Sequence, residues 1–390
     1  MVADKVRVCV DYSPVANCGT GLGRYAEKLG RHLLERDDVE TSFYAATVTP
    51  ERLPGYAAPR LRARWAWNTR RWRFSVLLAH LLRLRFDRHF PGVDVVHCTE
   101  HLLVPLSRVP AVLTVHDVVY LTHPEGHLPW NHRFLSLAMP IFVRRARAII
   151  AVSEYTRQEV VSLLHADPGR VHVIHEGVDD RFQPVREPEA LAAVRARYRL
   201  QAPFILFVGA IEPRKKLPLL LRAFAALCRE PGFEHQLVIA GGKGWLYGDV
   251  FATAAELGLG ERCIFTGHVP DELLPALYSA ADVYAHPAHY EGFGLTPLEA
   301  MACATPVVAS DATSLPEVVG QAGLLVPSHD EGAWAEALRR LATDRALHER
   351  LAADGLARAR RFRWEETARR TVQVYTRAAS EQPAATPGAR

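Results

Sequence analysis

Glu291 and Glu299 flank a glycine-containing segment that follows a predicted strand and opens a predicted helix. Gly292 and Gly294 allow unusual backbone angles and let a ligand approach the main chain closely. The backbone N–H groups of residues 295–298, at the start of the helix, would form an anion site, and a diphosphate is the expected anion. Glu299 would then accept hydrogen bonds from a ribose diol, and Glu291 would contact a sugar.

The same segment has an alternative, structural interpretation. Residues 296–299, Thr-Pro-Leu-Glu, match a capping box with proline at the first helical position. In that interpretation Glu299 caps its own helix and binds no ligand. The residue types alone leave both interpretations open.

Arg214 and Lys215 lie just after a predicted strand, Phe204–Val208, that ends in Gly209. Cations at this position could bind a diphosphate and offset the negative charge of a leaving group as a glycosidic bond breaks. The alternative is a solvated, basic helix start without a ligand.

Two further candidates lie in the first half of the chain. Gly21 and Gly23 belong to a glycine-rich turn, residues 19–23, that could approach a phosphate or sugar or could be only a tight turn. No acidic residue stands about 20 residues on at the end of a second predicted strand, as a dinucleotide fingerprint requires. His116 and Asp117 end the predicted strand Ala111–Val115, where side chains of an α/β fold face the ligand.

The elements that must position these residues alternate short apolar runs with amphipathic helices, which predicts an α/β fold with parallel sheets. The series begins at residues 6–10 and restarts at Phe204–Val208, which predicts two Rossmann-like domains over residues 1–183 and 184–365. A C-terminal helix over 366–379 could pack back on the first domain, and residues 380–390 are expected to be disordered. Ligands are expected in the cleft between the two domains.

Local patterns also predict how individual helices begin and end. Ser153 is expected to cap the helix that follows the strand near residues 148–152. Residues 314–317, Ser-Leu-Pro-Glu, match a capping box for a short helix. A break is expected near residues 361–364 of the helical C-terminal segment.

Composition and charge exclude several classes of protein. Among 390 residues, 47 Lys and Arg face 43 Asp and Glu, and residues 1–183 hold 24 against 19, an excess too mild for nucleic acid. The six cysteines show no C-x-x-C pair and are expected to be small buried residues in a reducing cytosol. No D-x-D cluster stands at a strand end, so neither a metal nor another cofactor is expected. Without an apolar run of membrane-spanning length, the chain is expected to be cytoplasmic, or peripheral on the inner face of the membrane.

Residues 60–90 combine nine arginines with a single acid, Asp87. Such a basic, aromatic stretch can hold a peripheral protein on anionic lipid. The alternative is a helix and loop of the first domain with solvated arginines. The aromatic residues between the arginines are Trp65, Trp67, Trp72 and Phe74.

Residues 290–310 resemble the E-x7-E signature of glycosyltransferase family 4, with Glu291 and Glu299 as its two glutamates. Residues 314–320 and 322–326 follow in that family's usual order. The resemblance implies GT-B architecture, two Rossmann-like domains facing across a cleft. It also implies that Glu299 binds the nucleotide ribose of a donor and that Glu291 lies near the donor sugar hydroxyls.

Other segments resemble elements of the same family. Residues 212–215, Glu-Pro-Arg-Lys, resemble its diphosphate-binding element, although Lys216 stands where Asn is common. Residues 19–25 resemble its G-x-G-R-Y element, and His116 with Asp117 resembles an H-D pair whose histidine lies beside the donor sugar. Glu176 stands where Asn is usual, and we interpret residues 176–179 as hinge and structure. The resemblance implies catalytic roles for Glu291, His116, Arg214 and Lys215, and donor contacts from Gly21, Gly23, Asp117, Gly209, Arg214, Lys215, Glu291, Gly292, Phe293, Gly294, Leu295, Thr296 and Glu299.

The predicted function is retaining transfer of a hexose from a nucleoside diphosphate sugar, GDP-mannose or a UDP-sugar, to a hydroxyl of a glycan, a lipid-linked or a small-molecule acceptor. No carboxylate is an obvious nucleophile, which favours attack on the face that the diphosphate leaves, with the diphosphate as base. Two alternatives remain: another sugar-nucleotide enzyme of this architecture, an epimerase or a phosphorylase, or a non-catalytic protein that binds sugar nucleotides.

Overall fold

The computed structural model describes residues 5–17, 21–47, 52–126 and 128–380. They form two compact units, of which the first spans Met1–Glu176 and Trp364–Arg390 and the second Gly177–Arg363. The first unit therefore ends at Glu176, before the boundary at 183 that the sequence suggested. Residues 381–390, most of the expected tail, and Gly19 and Thr20 of the glycine-rich turn lie outside the described residues.

The first unit is built on a parallel sheet with the strand order β3-β2-β1-β4-β5-β6-β7. Its strands are β1 Val6–Asp11, β2 Val39–Ala46, β3 Leu61–Trp65, β4 Val95–Cys98, β5 Ala111–Val115, β6 Ala148–Ala151 and β7 Val171–Val173. Its helices before residue 176 are α1 Ser13–Asn17, α2 Gly21–Leu34, α3 Thr69–Leu81, α4 Val119–Thr122, α5 Pro129–Arg145 and α6 Glu154–Leu163.

The second unit repeats the plan with the order β10-β9-β8-β11-β12-β13, all parallel. Its strands are β8 Phe204–Val208, β9 Gln236–Ala240, β10 Cys263–Gly267, β11 Val283–His286, β12 Val307–Ser310 and β13 Leu324–Val326. Its helices are α7 Pro188–Tyr198, α8 Leu217–Leu227, α9 Gly248–Glu256, α10 Leu274–Ser279, α11 Leu295–Ala302, α12 Leu315–Val319, α13 Glu331–Thr343 and α14 Arg345–Ala359. Both orders are those of doubly wound nucleotide-binding sheets, so the predicted α/β class with two Rossmann-like sheets is confirmed.

The last helix, α15 Trp364–Ser380, belongs to the first unit although the chain reaches it through the second. The Tyr375 hydroxyl lies 2.6 Å from His97 Nδ1 on β4, and Arg370 donates to the carbonyl of Val173 on β7. The chain between α14 and α15, residues 360–363, contains the break that the sequence predicts.

The strands β2 and β3 were not predicted from the sequence. The edge strand β3 reads Leu-Arg-Ala-Arg-Trp, and its arginines are exposed, as expected of a sheet edge protected by charge. Trp65 stacks on Trp72, which is buried, with the ring centres 4.8 Å apart. Part of the arginine- and tryptophan-rich stretch therefore belongs to the core, not to the surface.

The cap of α6 forms as predicted, because Ser153 Oγ accepts a hydrogen bond of 3.0 Å from the backbone N–H of Thr156. The capping box predicted at Ser314 is wrong, because its hydroxyl makes no cap on α12 and is engaged elsewhere.

The five cysteines of the described residues are all free. In that part of the chain, no helix is long and apolar enough to cross a lipid bilayer.

Candidate functional site

The carboxyl ends of β8 and β11 lie side by side in the second sheet, and each continues into a polar loop. Gly209 follows β8 with a φ of 151°, and a Cβ placed on Gly241, which follows β9, would lie 1.9 Å from the Gly209 carbonyl oxygen. This contact of two main chains requires glycine. It packs the loop after β8 against the loop after β9. The contact with the loop after β11 is made by the backbone N–H of His289, which donates to the carbonyl oxygen of Arg214 at 3.0 Å. Parallel sheets bind ligands at this carboxyl edge.

Glu291, in the loop after β11, is the centre of a buried ionic cluster. Its Oε2 accepts a hydrogen bond of 2.9 Å from Arg214 Nη1, and its Oε1 pairs with the ammonium group of Lys215. Arg214 also pairs through Nε with Glu212 Oε1 at 2.5 Å. The side chain of Arg214 is about a quarter exposed, whereas Lys215 is only 7% exposed. The predicted pair of cations and the first predicted glutamate therefore form one cluster.

Burial by itself would raise the pKa of Glu291, but the charges of Lys215 and Arg214 outweigh it and hold this pKa well below its usual value. Burial, together with the charge of Arg214, lowers the pKa of Lys215, and Glu291 opposes this shift. Burial also raises the pKa of Glu212, against the influence of the same two cations. The cluster thus keeps an anionic carboxylate between two cations that have already lost much of their water.

His286, the last residue of β11, is a member of this cluster that the sequence analysis missed. Its Nε2 lies 2.9 Å from Glu291 Oε1, and its Nδ1 lies 3.0 Å from the hydroxyl of Tyr284. Burial lowers the pKa of His286, and the charges of Lys215 and Arg214 act in the same direction. A neutral ring that donates from Nε2 and accepts at Nδ1 satisfies both contacts. Its place at a strand end, like that of His116, is the signal that could have identified it.

The helix α11 begins at Leu295, one residue after Gly294, which has a φ of 114°. A side chain at Gly294 would be strained, and its Cβ would come within 3.0 Å of Leu315. No side chain caps this helix. The N–H groups of its first turn, which include Leu295 and Thr296, therefore receive no side-chain cap, which is the arrangement that the predicted anion site needs.

The alternative capping-box interpretation of residues 296–299 is wrong. The helix has already begun when the chain reaches Thr296, whose hydroxyl oxygen lies 3.5 Å from His286 Nδ1. Glu299 is buried, and its Oε2 accepts a hydrogen bond of 3.0 Å from the hydroxyl of Tyr278 on α10. The second glutamate is thus held by another helix and does not cap its own.

The loop between β12 and α12 positions the main chain of residues 291–293. Thr313 Oγ1 accepts a hydrogen bond of 3.0 Å from the backbone N–H of Glu291. The hydroxyl of Ser314 lies 2.9 Å from the carbonyl oxygen of Glu291 and 2.7 Å from that of Phe293. These contacts explain why Ser314 does not cap α12, and they hold Gly292 and Phe293 in place beside Glu291.

His116, after β5 in the first unit, has both ring nitrogens engaged. Its Nε2 lies 2.9 Å from the carbonyl oxygen of Thr99, and its Nδ1 lies 3.4 Å from Glu176 Oε1. Burial alone would lower the pKa of His116, but the carboxylate of Glu176 raises it above the usual value. A carbonyl oxygen only accepts, so Nε2 carries a proton, and the carboxylate of Glu176 favours a second proton on Nδ1. Glu176, interpreted from the sequence as hinge and structure, therefore raises the pKa of His116.

The other candidates of the first unit are Gly21, Gly23 and Asp117. Gly21 and Gly23 lie in the first turn of α2, not in a turn before it, and a Cβ at Gly21 would meet no atom within 4 Å. The ring of Tyr25 on α2 meets the His116 ring edge-on at 4.7 Å. Asp117 Oδ1 accepts a hydrogen bond of 3.3 Å from the backbone N–H of Val119.

Replacing Glu176 by glutamine is expected to lower the pKa of His116, because the neutral amide no longer stabilises the imidazolium. A raised pKa in the folded state stabilises the fold at pH values below about 6.5, the usual histidine value, and this contribution is lost as the pH rises through the raised pKa. The free energy of unfolding of the variant should lose this dependence on pH. Histidine NMR titration measures the change, with His80, whose pKa burial lowers to about 4, as the internal reference. An unchanged His116 titration would contradict the assignment.

No group of three or more histidine, cysteine or carboxylate side chains in the described residues could hold a metal ion.

Comparison with known proteins groups this chain with sugar-transferring enzymes. The family described as Glycosyltransferase Family 4 matches residues 19–182, and the family described as Glycosyl transferases group 1 matches residues 195–358. The chain is 35% identical over 284 residues to O-antigen chain mannosyltransferase B of Escherichia coli, a match that covers 72% of this chain and 74% of the relative.

A second relative is similar over nearly the whole chain. It is a D-inositol 3-phosphate glycosyltransferase of Salinispora arenicola, 36% identical over 403 residues, and the match covers 94% of this chain and 90% of the relative. Among solved structures, sucrose-phosphate synthase from Thermosynechococcus elongatus has a TM-score of 0.75 at 22% identity, and the match covers 96% of this chain and 99% of that one. At that identity the solved structure shows a shared fold.

Proposed function

Because this chain belongs to glycosyltransferase family 4, has the GT-B fold and is a hexosyltransferase, we propose that it takes the hexose from a nucleoside diphosphate sugar and transfers it with retention at the anomeric carbon. The observation that carries this proposal is the buried cluster of Glu291, Arg214 and Lys215 at the carboxyl edge of β8 and β11.

The geometry of the second unit supports a set of donor contacts. Arg214 and Lys215 bind the diphosphate, together with the first-turn N–H groups of α11, since cations and a helix N-terminus both favour phosphate oxygens. Glu299, held by the Tyr278 hydroxyl, accepts hydrogen bonds from the ribose diol. Glu291 accepts hydrogen bonds from hydroxyl groups of the hexose. Gly209 and Gly294 have φ angles of 151° and 114°, which glycine adopts most readily. The proposed role of the glycines at 209, 292 and 294 is to let the main chain come close to the donor.

The proposed reaction needs no enzyme nucleophile. The bond between the anomeric carbon and the diphosphate oxygen breaks, and the acceptor oxygen forms its bond on the same face of the sugar. The proton of the acceptor hydroxyl passes to the leaving diphosphate. Three partners occupy the carboxylate of Glu291, which leaves it unsuited to attack the sugar. Arg214 and Lys215 stabilise the charge of the leaving group, so no metal or other cofactor is proposed.

GDP-mannose is the first donor to test, because the Escherichia coli relative is a mannosyltransferase by name, and UDP-sugars follow. For the acceptor we propose a hydroxyl of a growing surface glycan, free or lipid-linked, and a small-molecule acceptor is the alternative that the Salinispora relative's name suggests. A lipid-linked acceptor would bring the enzyme to the cytoplasmic face of the membrane.

Thermal unfolding with a panel of nucleoside diphosphates and their sugars tests the donor site. A ligand that binds only the folded state at about 100 times its Kd stabilises it by about 2.7 kcal/mol. One nucleotide should stabilise the wild type, and Glu299→Ala and Lys215→Ala should abolish the gain. Lys216→Ala, a change at the exposed neighbouring lysine, should retain it. If no nucleotide at millimolar concentration stabilises the protein, the donor site is refuted.

Product analysis then separates the reaction from its alternatives. Transfer to an acceptor with the anomeric configuration of the donor supports the proposal, and an inverted product refutes retention. Conversion of the sugar nucleotide without an acceptor would identify an epimerase, and dependence on inorganic phosphate would identify a phosphorylase. Tight binding without turnover under all acceptor conditions would indicate a non-catalytic protein.

A further inference from the structure

The helix α3 has two apolar sides, of which only one faces the core. Trp72, Val76, Ala79 and His80 are buried. On the opposite side, Phe74, Leu78 and Leu81 follow one another at spacings of four and three residues, so they form one continuous line, the α3 ridge. Phe74 is 63% exposed and Leu81 is 61% exposed. A line of large apolar side chains in water is unfavourable unless something covers it.

A second exposed apolar line lies on the neighbouring helix α5. Trp130 and Leu137 are seven residues apart and therefore share one face of this helix, and both are exposed. The start of α5 contacts the start of α3, because Arg73 donates to Asn131 Oδ1 at 2.8 Å and the guanidinium of Arg70 lies 5.7 Å from the centre of the Trp130 ring. The α3 ridge and these two residues of α5 therefore belong to the same surface of the first unit.

Arginines surround this surface. Arg71 precedes the α3 ridge, Arg83 and Arg85 follow it, and Arg133 lies on α5 between Trp130 and Leu137. All four are exposed, and within the described part of the chain none of them has an ion-pair partner. The helix α5 contains no acidic residue, and Asp87 is the only acid of residues 60–90. Its carboxylate is occupied by the backbone N–H groups of residues 107–109.

We propose that this surface, formed by the α3 ridge, Trp130, Leu137 and the surrounding arginines, docks the first unit onto an anionic lipid bilayer. The apolar side chains enter the boundary between headgroups and acyl chains, and the arginines bind lipid phosphates. Charge complementarity selects this occupant. A second copy of the chain would present the same surface in a two-fold symmetric contact, so arginines would face arginines.

The proposal refines the expectation for residues 60–90, since the buried Trp72 and the strand β3 are excluded from the surface and α5 is added to it. It rests on the first unit alone. A failure to bind membranes would therefore leave the donor site in the second unit untouched, and that site is tested separately by nucleotide stabilisation.

Co-sedimentation of the full chain with vesicles tests the proposal. The protein should sediment with vesicles of equal parts phosphatidylcholine and phosphatidylglycerol and not with phosphatidylcholine alone. The double variant Phe74→Ser and Leu78→Ser should reduce partitioning about tenfold or more, because the apolar contact area is lost. The double variant Arg71→Gln and Arg85→Gln should weaken binding mainly at low salt, because the Debye length shortens from about 10 Å at 0.1 M salt to about 3 Å at 1 M.

The matched control is the double variant Leu163→Ser and Leu246→Ser, which removes two exposed leucines outside this surface. It should partition like the wild type, and all variants should keep the stabilisation by nucleotide. Three results would each overturn the proposal: no sedimentation with anionic vesicles, equal sedimentation with neutral ones, or an equal loss in the control. A dimer in sedimentation velocity that Phe74→Ser and Leu78→Ser dissociates, without vesicle binding, would show that a second copy covers the surface instead.

Discussion

Replacing Lys215 by methionine is expected to lower kcat/KM for the sugar nucleotide by about 10²- to 10³-fold, the usual cost of removing one group that stabilises charge in the transition state. Methionine keeps most of the aliphatic stem in its buried position, so the change removes charge and not volume. The leaving diphosphate loses a cation, and Glu291 loses the partner of its Oε1. Steady-state kinetics with donor and acceptor both varied measures the effect.

The adjacent Lys216 provides the matched control, because it is exposed and has no contact with Glu291 among those described. Lys216→Met should leave kcat/KM within about threefold of the wild type, a range that matches the small contribution of exposed charges. An equal loss in both variants would mean that the effect is one of general surface charge, and an active Lys215→Met enzyme would refute the role assigned to the cluster.

Replacing Glu291 by glutamine should separate nucleotide binding from turnover. In the ligand-free protein the carboxylate of Glu291 neutralises Arg214 and Lys215, the two groups that the diphosphate needs. Glutamine keeps the shape and removes the charge, so both cations become more attractive to a nucleoside diphosphate. A nucleoside diphosphate has no hexose, so its binding does not depend on the contact between Glu291 and the sugar. We expect the nucleoside diphosphate to bind at least as tightly as in the wild type. Turnover should fall by about 10²-fold or more, because hydrogen bonds to the reacting sugar are weakened.

Isothermal titration with the nucleoside diphosphate, compared with the rate of transfer, measures the two effects in one protein. Glu212→Gln is the matched control. Glu212 is also buried and also pairs with Arg214, but it is not proposed to contact the sugar. This variant should remove a carboxylate partner of Arg214 without lowering turnover. Weaker binding of the nucleoside diphosphate to Glu291→Gln would contradict this proposal. It would mean that the carboxylate of Glu291 helps Arg214 and Lys215 to bind phosphate and does not compete with it.

Much of the fold could be predicted from the sequence, because a parallel sheet covered on both faces needs strands that are apolar throughout. The run Phe-Ile-Leu-Phe-Val of β8 is entirely buried and was predicted with its observed bounds. The strands β2 and β3 could not be recognised in this way. The edge strand β3 carries two exposed arginines because one of its edges faces water. The strand β2 is paired on both sides and nearly all buried, but Glu40, Thr41 and Ser42 interrupt its apolar run.

The sequence by itself determined which residue types of the second unit could bind a sugar nucleotide, because Gly294, the two glutamates and the two cations lie in short segments after strands. Only the tertiary structure decided their partners. The strand order sets β8 beside β11, which brings Lys215 to Glu291 across 76 positions of the chain. Likewise, the hydroxyl of Tyr278 on another helix donates to Glu299, and Glu176 raises the pKa of His116. Local periodicity records which face of an element is buried, whereas the contacts between distant segments depend on how the whole sheet is ordered.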